Sequence, residues 1–310
     1  ITLTQLILTF VIVFIGLKLI GIELHIALLL GAIATATAPA ATVAIVQSMR
    51  VRGEFVDYLY GIVALDDAGC IILFSVVFAL TAMLVGVENA VSIKGIIIHG
   101  LFEVGASLLL GFISGIILHF ATARVRHKNE LLIVATGIVF LVTAIAVSLH
   151  ISPLLSNMMI GATLINISWR NERILHALQP ITPPLYAIFF AAAGTELNLN
   201  TIGSGITLLM GGMYIVLRAV GKYSGIFIGS TITKAPVNIR NYLGLCMMPQ
   251  AGVAIGLVLF IETTPILPSG TGDLLSSMSL ITAVVLFSVF INELLGPPLS
   301  KLGLYKGMRK

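Results

Sequence analysis

Apolar residues in this 310-residue chain gather into runs of about twenty that follow one another with only short polar interruptions. About twenty residues is what a helix needs to cross ~30 Å of hydrocarbon. Ten segments can be read: 3–20, 25–47, 57–84, 95–121, 131–149, 153–168, 182–197, 204–232, 241–261 and 275–298. A backbone in lipid has to satisfy its own hydrogen bonds, so segments of this length and composition are helices. The fold class is therefore all-α, a polytopic membrane protein of about ten transmembrane helices. Charged residues make up 10% of the chain against 58% hydrophobic, too few to coat a soluble domain of this size. No Ser/Gly-rich linker interrupts the series, which predicts a single transmembrane domain over 1–310.

Charge placement tests the parsing. Thirteen of the 17 Lys and Arg fall in the loops after the second, fourth, sixth and eighth segments and after the tenth, among them Arg50, Arg52, Arg124, Arg173, Arg240 and Lys301. The opposite loops carry mainly acids: Glu23, Glu88, Glu196, Glu262 and Asp273. The alternation places the basic loops, the C-terminus and Ile1 in the cytoplasm of a multi-pass protein of the cell inner (plasma) membrane. It also accounts for the net charge of +4 without nucleic acid as a partner. The chain enters its first segment at Ile1 with no charged leader ahead of it, and the expectation is that N-terminal helices are missing. Cys70 and Cys246 both lie in apolar segments and read as small buried side chains. The stretch Trp169–Pro184, with Arg170, Glu172, Arg173 and His176, reads either as a short amphipathic helix on the cytoplasmic surface or as a solvated loop.

An ionisable residue deep in a membrane is a functional hypothesis by default, because placing it there is costly. Asp66 and Asp67 sit about ten residues into the third segment, in GIVALDDAGCIILF. Neighbouring helical residues point about 100° apart, so the two carboxylates face different directions. One can line a watery path while the other turns to a neighbouring helix. Burial and mutual repulsion favour protonation of such a pair, and in its ionised form a carboxylate offers hard oxygens to a small cation. Arg218 and Lys222 lie four apart in the eighth segment and share a helical face. They are the candidate charge partners, with lysine the tunable one and arginine the fixed one. The four together sum to zero formal charge. Glu103 in the fourth segment is an accessory candidate, or else a structural partner.

Two segments carry helix breaks. The second contains TATAPAATVAI, with Thr37, Ala38, Pro39 and Thr42; the ninth contains CMMPQAGVAIG, with Pro249, Gln250 and Gly252. One proline in a membrane helix means little beyond a kink. Two breaks in corresponding segments, about 210 residues apart, predict unwound backbone that lines a cavity at mid-membrane. Three segments in each half, about 1–84 and 204–298, follow the order of inverted-topology repeats with two broken crossing helices.

These motifs resemble the cation/proton antiporter superfamily, in its Kef-type and bacterial sodium/proton branch with a double aspartate. The resemblance spans essentially the whole chain and rests on ATAPAATVAIV, ALDDAGCIILF, PLYAIFFAAAGTELNL, LRAVGKYSGIFIG, MMPQAGVAIGLVL and INELLGPPL. It implies an antiporter fold in which Asp67 is the principal cation- and proton-binding carboxylate, holding the monovalent cation. Asp66 pairs with Lys222 when no cation is bound, and the unwound segments at 37–41 and 249–252 cross beside them. Asp-Asp rather than Asn-Asp resembles the electrogenic branch, which exchanges two protons per sodium. Relatives of this kind have thirteen helices and form homodimers. One departure stands out: many relatives place an acid before the first proline, where this chain has Ala38. That leaves the cation to Asp67, hydroxyls and carbonyls.

The functional expectation is secondary active transport, exchanging Na⁺ or K⁺ for H⁺ across the lipid bilayer by alternating access. The alternative is a cation-coupled symporter of an organic anion with a bile-acid-carrier-like fold, although the core segments offer few aromatic or basic residues for an anion. A sensor domain would leave the Asp-Asp and lysine cluster without a purpose. No metal-ligand cluster or Gly-rich phosphate loop points to an enzyme or to a cofactor other than the transported ions.

Overall fold

The computed structural model describes all residues except 85–92, 126, 150, 169–170, 182–183, 186, 189–190, 192–204, 264–271 and 309–310. The described chain is helical: α1 (Thr2–Leu19), α2 (Leu24–Ala34), α3 (Pro39–Met49), α4 (Glu54–Leu84), α5 (Ile93–Thr122), α6 (Lys128–Ser148), α7 (Pro153–Ile167), α8 (Glu172–Leu178), α9 (Gly205–Ile232), α10 (Val237–Tyr242), α11 (Gly252–Thr263) and α12 (Gly272–Gly307). Short 3-10 turns cover Gln179–Ile181 and Leu243–Met247.

Among the described residues six helices are long and apolar enough to cross a membrane, or seven if the bent pair Val237–Met247 and Gly252–Glu262 forms one span. Against the ten expected segments, two are cut into shorter pieces by their breaks, and α7 is a shorter apolar helix of 15 residues. The segment at 182–197 falls largely outside the described residues.

The breaks follow from proline chemistry. Pro39 has no amide hydrogen and crowds the residue before it out of the helical region, so Ala38 is extended (φ −101°, ψ 93°) and Pro39 opens α3. The second break is a 3-10 turn followed by Met248–Ala251, and the two arms bend by 47°.

The last segment departs from expectation. It continues as helix through Pro297 and Pro298 to Gly307 rather than stopping at 298. Packing on both sides of the prolines explains why. Gly296 lies against the backbone of Pro249, Leu304 is fully buried, and Gly303 meets Cys246 and Tyr242. These contacts hold the helix where local propensity alone would end it.

The chain divides into two compact units, one of residues 1–91 with 193–310 and one of 92–192. Both expected repeats belong to the first unit. Its closest helix pair is α1 with α9, and small residues make the approach possible. A Cβ at Gly221 would lie 2.7 Å from the Cα of Thr9, and one at Gly225 would lie 2.5 Å from the Cα of Gln5. Farther along the same unit, Val46, Phe55, Leu59, Ile226, Leu243 and Leu304 pack into one apolar cluster.

In the second unit, residues 172–178 form the helix α8, so the Arg/Glu/His stretch resolves in favour of a short amphipathic helix. Its Ile174 and Ala177 pack with Leu118, Leu131, Ala135 and Leu164. Arg173 donates to the carbonyls of Val125 (2.9 Å) and Thr122 (2.6 Å), which caps the C-terminal end of α5. Asn171 links the same region, donating to the carbonyl of Leu164 at 2.8 Å and facing His119 Nδ1 at 3.1 Å.

Candidate functional site

The two breaks meet. The Ala38 amide donates to the Pro249 carbonyl at 3.0 Å, and the Thr42 hydroxyl donates to the Cys246 carbonyl at 2.9 Å. Carbonyls freed where the half-helices end would be costly in a dry interior. Arg218 collects them. Its guanidinium donates to Ala34 O (3.1 Å), Ala36 O (2.7 Å), Met248 O (2.7 Å) and Pro249 O (3.3 Å), and the residue is fully buried. One cation thus neutralises the negative ends of two interrupted helices.

The sequence reading paired Arg218 with the aspartates. The structure commits it to backbone carbonyls instead, because its planar fork of donors matches the four acceptors that the breaks present. Gln250 plays a companion role. Its amide nitrogen donates to Ile33 O (3.3 Å) and faces Tyr214 Oη (3.2 Å), while its oxygen accepts from Ser288 (3.0 Å) and Asn292 (3.2 Å). A fully partnered amide therefore ties the first break to α9 and α12.

One helical turn from Arg218, Lys222 is also fully buried. Its ammonium lies 3.1 Å from Asp66 Oδ2 and 2.7 Å from Thr37 Oγ1, and it donates to the carbonyl of Thr35. Thr37 donates its hydroxyl to Asp66. The amide of Gln5 closes the cluster from α1. With its nitrogen toward Asp66 and its oxygen toward Lys222, it donates to Asp66 Oδ1 at 2.7 Å and accepts from Lys222 Nζ at 2.5 Å. Only this orientation satisfies both ends. Asp66, 1% exposed, has both carboxylate oxygens engaged.

Asp67 is different. It is half-buried, and its Oδ1 is shielded from solvent with no hydrogen-bond partner among the described residues. The two neighbouring acids therefore divide as helical geometry requires, one locked to a lysine and one with an oxygen left unpaired among the described residues.

Of the residues singled out in the sequence, Asp66, Lys222, Thr37, Ala38, Thr42, Arg218, Pro249 and Gln250 come together at the crossing. Pro39 takes part by opening α3, although its side chain lies outside the described residues. Gly252 begins α11 beyond the second break and is exposed. Glu103 lies on α5 in the other unit, and its side chain is outside the described residues.

Three participants escaped sequence reasoning: Gln5, Tyr214 and Ser288. Gln5 had the best available signal, as the only side-chain amide in the mainly apolar α1.

Comparisons with known proteins agree with this architecture. A family model described as "sodium/hydrogen exchanger, transmembrane" matches residues 1–301. Among solved structures, the chain is similar to the sodium proton antiporter MjNhaP1 from Methanocaldococcus jannaschii at pH 8, with a TM-score of 0.75 at 15% identity over 99% of this chain and 77% of that one. At that identity the likeness speaks for the fold. No curated protein matches by sequence.

Proposed function

This chain belongs to the sodium/hydrogen exchanger family, and on that premise we propose that it exchanges a monovalent cation, sodium first, for protons at Asp66 and Asp67. The observation that carries the reading is Asp67 Oδ1, a shielded carboxylate oxygen without a hydrogen-bond partner among the described residues, beside an acid already engaged by a lysine. An acceptor left unpaired away from water is unfavourable. A proton relieves it, and so does a small hard cation. Both use the same lone pairs, so the two exclude each other, and exchange needs no long-range signal between separate sites.

The crossing supplies the moving part. Arg218 and the Ala38–Pro249 bond join both breaks to α9, and Lys222 joins α9 to Asp66 on α4. These elements travel as one body carrying the loaded carboxylate, which turns its access from one side of the bilayer to the other. A cation at Asp67 also attracts Asp66, and Asp66 then loosens its hold on Lys222. The ammonium thereby freed from its counter-ion gives up a proton. Two protons leave for each monovalent cation bound, so the exchange moves net charge. The working unit is a homodimer in the inner membrane, with the basic loops in the cytoplasm.

The test is flux in proteoliposomes under an imposed ΔpH, with Na⁺, K⁺ and Li⁺ added in turn and the membrane potential either clamped or free. Sodium should collapse the gradient, and faster when the potential is clamped. No response to any of the three cations would contradict the reading, and equal rates with and without the clamp would contradict the charge movement.

A further inference from the structure

The exchange reading uses the acidic pair on α4 and leaves aside a similar pair on α12, Asn292 and Glu293. We infer that Glu293 is a second binding residue for the transported monovalent cation, engaging it through Oε1 on its way to or from Asp67. The inference rests on the exchange reading above and adds to it a ligand from the far end of the chain.

Three observations support the assignment. First, among the described residues two carboxylate oxygens are shielded from solvent without a hydrogen-bond partner, Asp67 Oδ1 and Glu293 Oε1. Such an acceptor is unfavourable until something takes its lone pairs, and a small hard cation does so. Second, the two pairs are built alike. Asp66 accepts the hydroxyl of Thr37 in the first break, and the buried Asn292 donates to Gln250 Oε1 in the second at 3.2 Å. In each pair the first residue is tied to a break, and the second, turned by about 100°, keeps an unpaired oxygen. Third, the backbone that carries Glu293 is anchored at the crossing. Asn292 also donates to Ser288 Oγ at 2.9 Å, and a Cβ at Gly296 would lie 2.8 Å from the Cα of Pro249. Glu293 is thus held beside the second break by the turns before and after it.

Charge explains why a cation is wanted there. Arg218 is the cation whose field acts on Glu293, and it acts on Asp66 as well. Its donors go to four backbone carbonyls, so it attracts the Glu293 carboxylate without occupying Oε1. Asp66 and Asp67 alone are balanced by Arg218 and Lys222. Glu293 adds a third acid to the same field and leaves one negative charge over. An uncompensated charge deep in a protein is costly, and one monovalent cation removes the imbalance.

The experiment uses Glu293→Gln and Glu293→Asp in the full-length protein, with sodium-driven proton flux in proteoliposomes read over a range of sodium concentrations and melting temperature read in detergent. Glu293→Gln keeps the shape and removes the charge. It should raise the half-saturating sodium concentration about fivefold or more, the scale of one lost charge contact. Glu293→Asp keeps the charge on a shorter stem, and its half-saturating concentration should fall between those of Glu293→Gln and wild type. A merely structural role, as counter-charge to Arg218, would lower melting temperature and maximal flux and leave the half-saturating concentration in place. An unchanged half-saturating concentration in Glu293→Gln overturns the inference, and so does a rise that Glu293→Asp fails to reduce. If Glu293→Gln does not fold, Glu293→Asp decides alone, and a value equal to wild type is sufficient to reject the assignment. A wild-type protein with no sodium-driven flux would instead remove the exchange reading on which the inference stands, an outcome visible before either variant is measured.

Discussion

The amide of Ala38 donates to the carbonyl of Pro249 at 3.0 Å, so the two interruptions in the helical framework hold each other directly. That bond alone would leave other carbonyls of the breaks unanswered, and Arg218 answers four of them, one of which belongs to Pro249 itself.

Arg218→Lys should therefore be severe although it conserves charge. A lysine ammonium has three donors on a flexible stem and cannot reach four carbonyls set around a plane. The expected loss is roughly 3 kcal/mol or more, since buried acceptors lose partners and no water replaces them. Thermal melting of the purified variant in detergent, beside its flux, checks this. A variant as stable as wild type would show that the guanidinium does not hold the crossing together.

The Asp66–Lys222 pair predicts a non-additive pattern. Asp66→Asn leaves a buried ammonium without its counter-charge, a change that typically costs about 3–5 kcal/mol. Adding Lys222→Met removes the orphaned charge, so the double variant should be more stable than Asp66→Asn alone. Melting temperatures of the two singles and the double form the cycle that measures this. Additive losses would mean that the two side chains do not depend on each other.

Close approach of α1 and α9 is tested at one position. Gly225→Ala forces a methyl against the Gln5 backbone and should destabilise by about 1–3 kcal/mol, despite the better helix propensity of alanine. Gly212→Ala on the same helix meets nothing within 4 Å and should be neutral or slightly stabilising. Equal melting temperatures for the two would refute the tight seam.

Much of this was legible in the chain. Hydropathy marked nearly every described helix, because lipid leaves a spanning backbone few alternatives. Pro39 and Pro249 marked the breaks, because a missing amide is a local fact that no packing restores. Asp66, Asp67 and Lys222 stood out because charge in an apolar run is rarely incidental.

What stayed hidden was pairing across the fold. Nothing local says that Arg218 would turn to carbonyls rather than carboxylates, since the four acceptors come from residues some thirty and more than 180 positions away. The partner of Gln5 is equally non-local. The four-residue spacing of Gly221, Gly225 and Gly229 announces a close helix contact, but only the structure says that α1 fills it. The run past Pro297 and Pro298 was misjudged for a related reason, because a helix that breaks on propensity can persist on packing.

The central claim concerns Asp67, whose shielded Oδ1, without a hydrogen-bond partner among the described residues, is where proton and cation compete. The direct measurement is sodium-driven proton flux in proteoliposomes for Asp67→Asn, alongside its melting temperature. Asn replaces a carboxylate whose Oδ1 has no hydrogen-bond partner among the described residues, so the protein should stay as stable as wild type while flux disappears. A stable Asp67→Asn protein with undiminished flux would contradict the account.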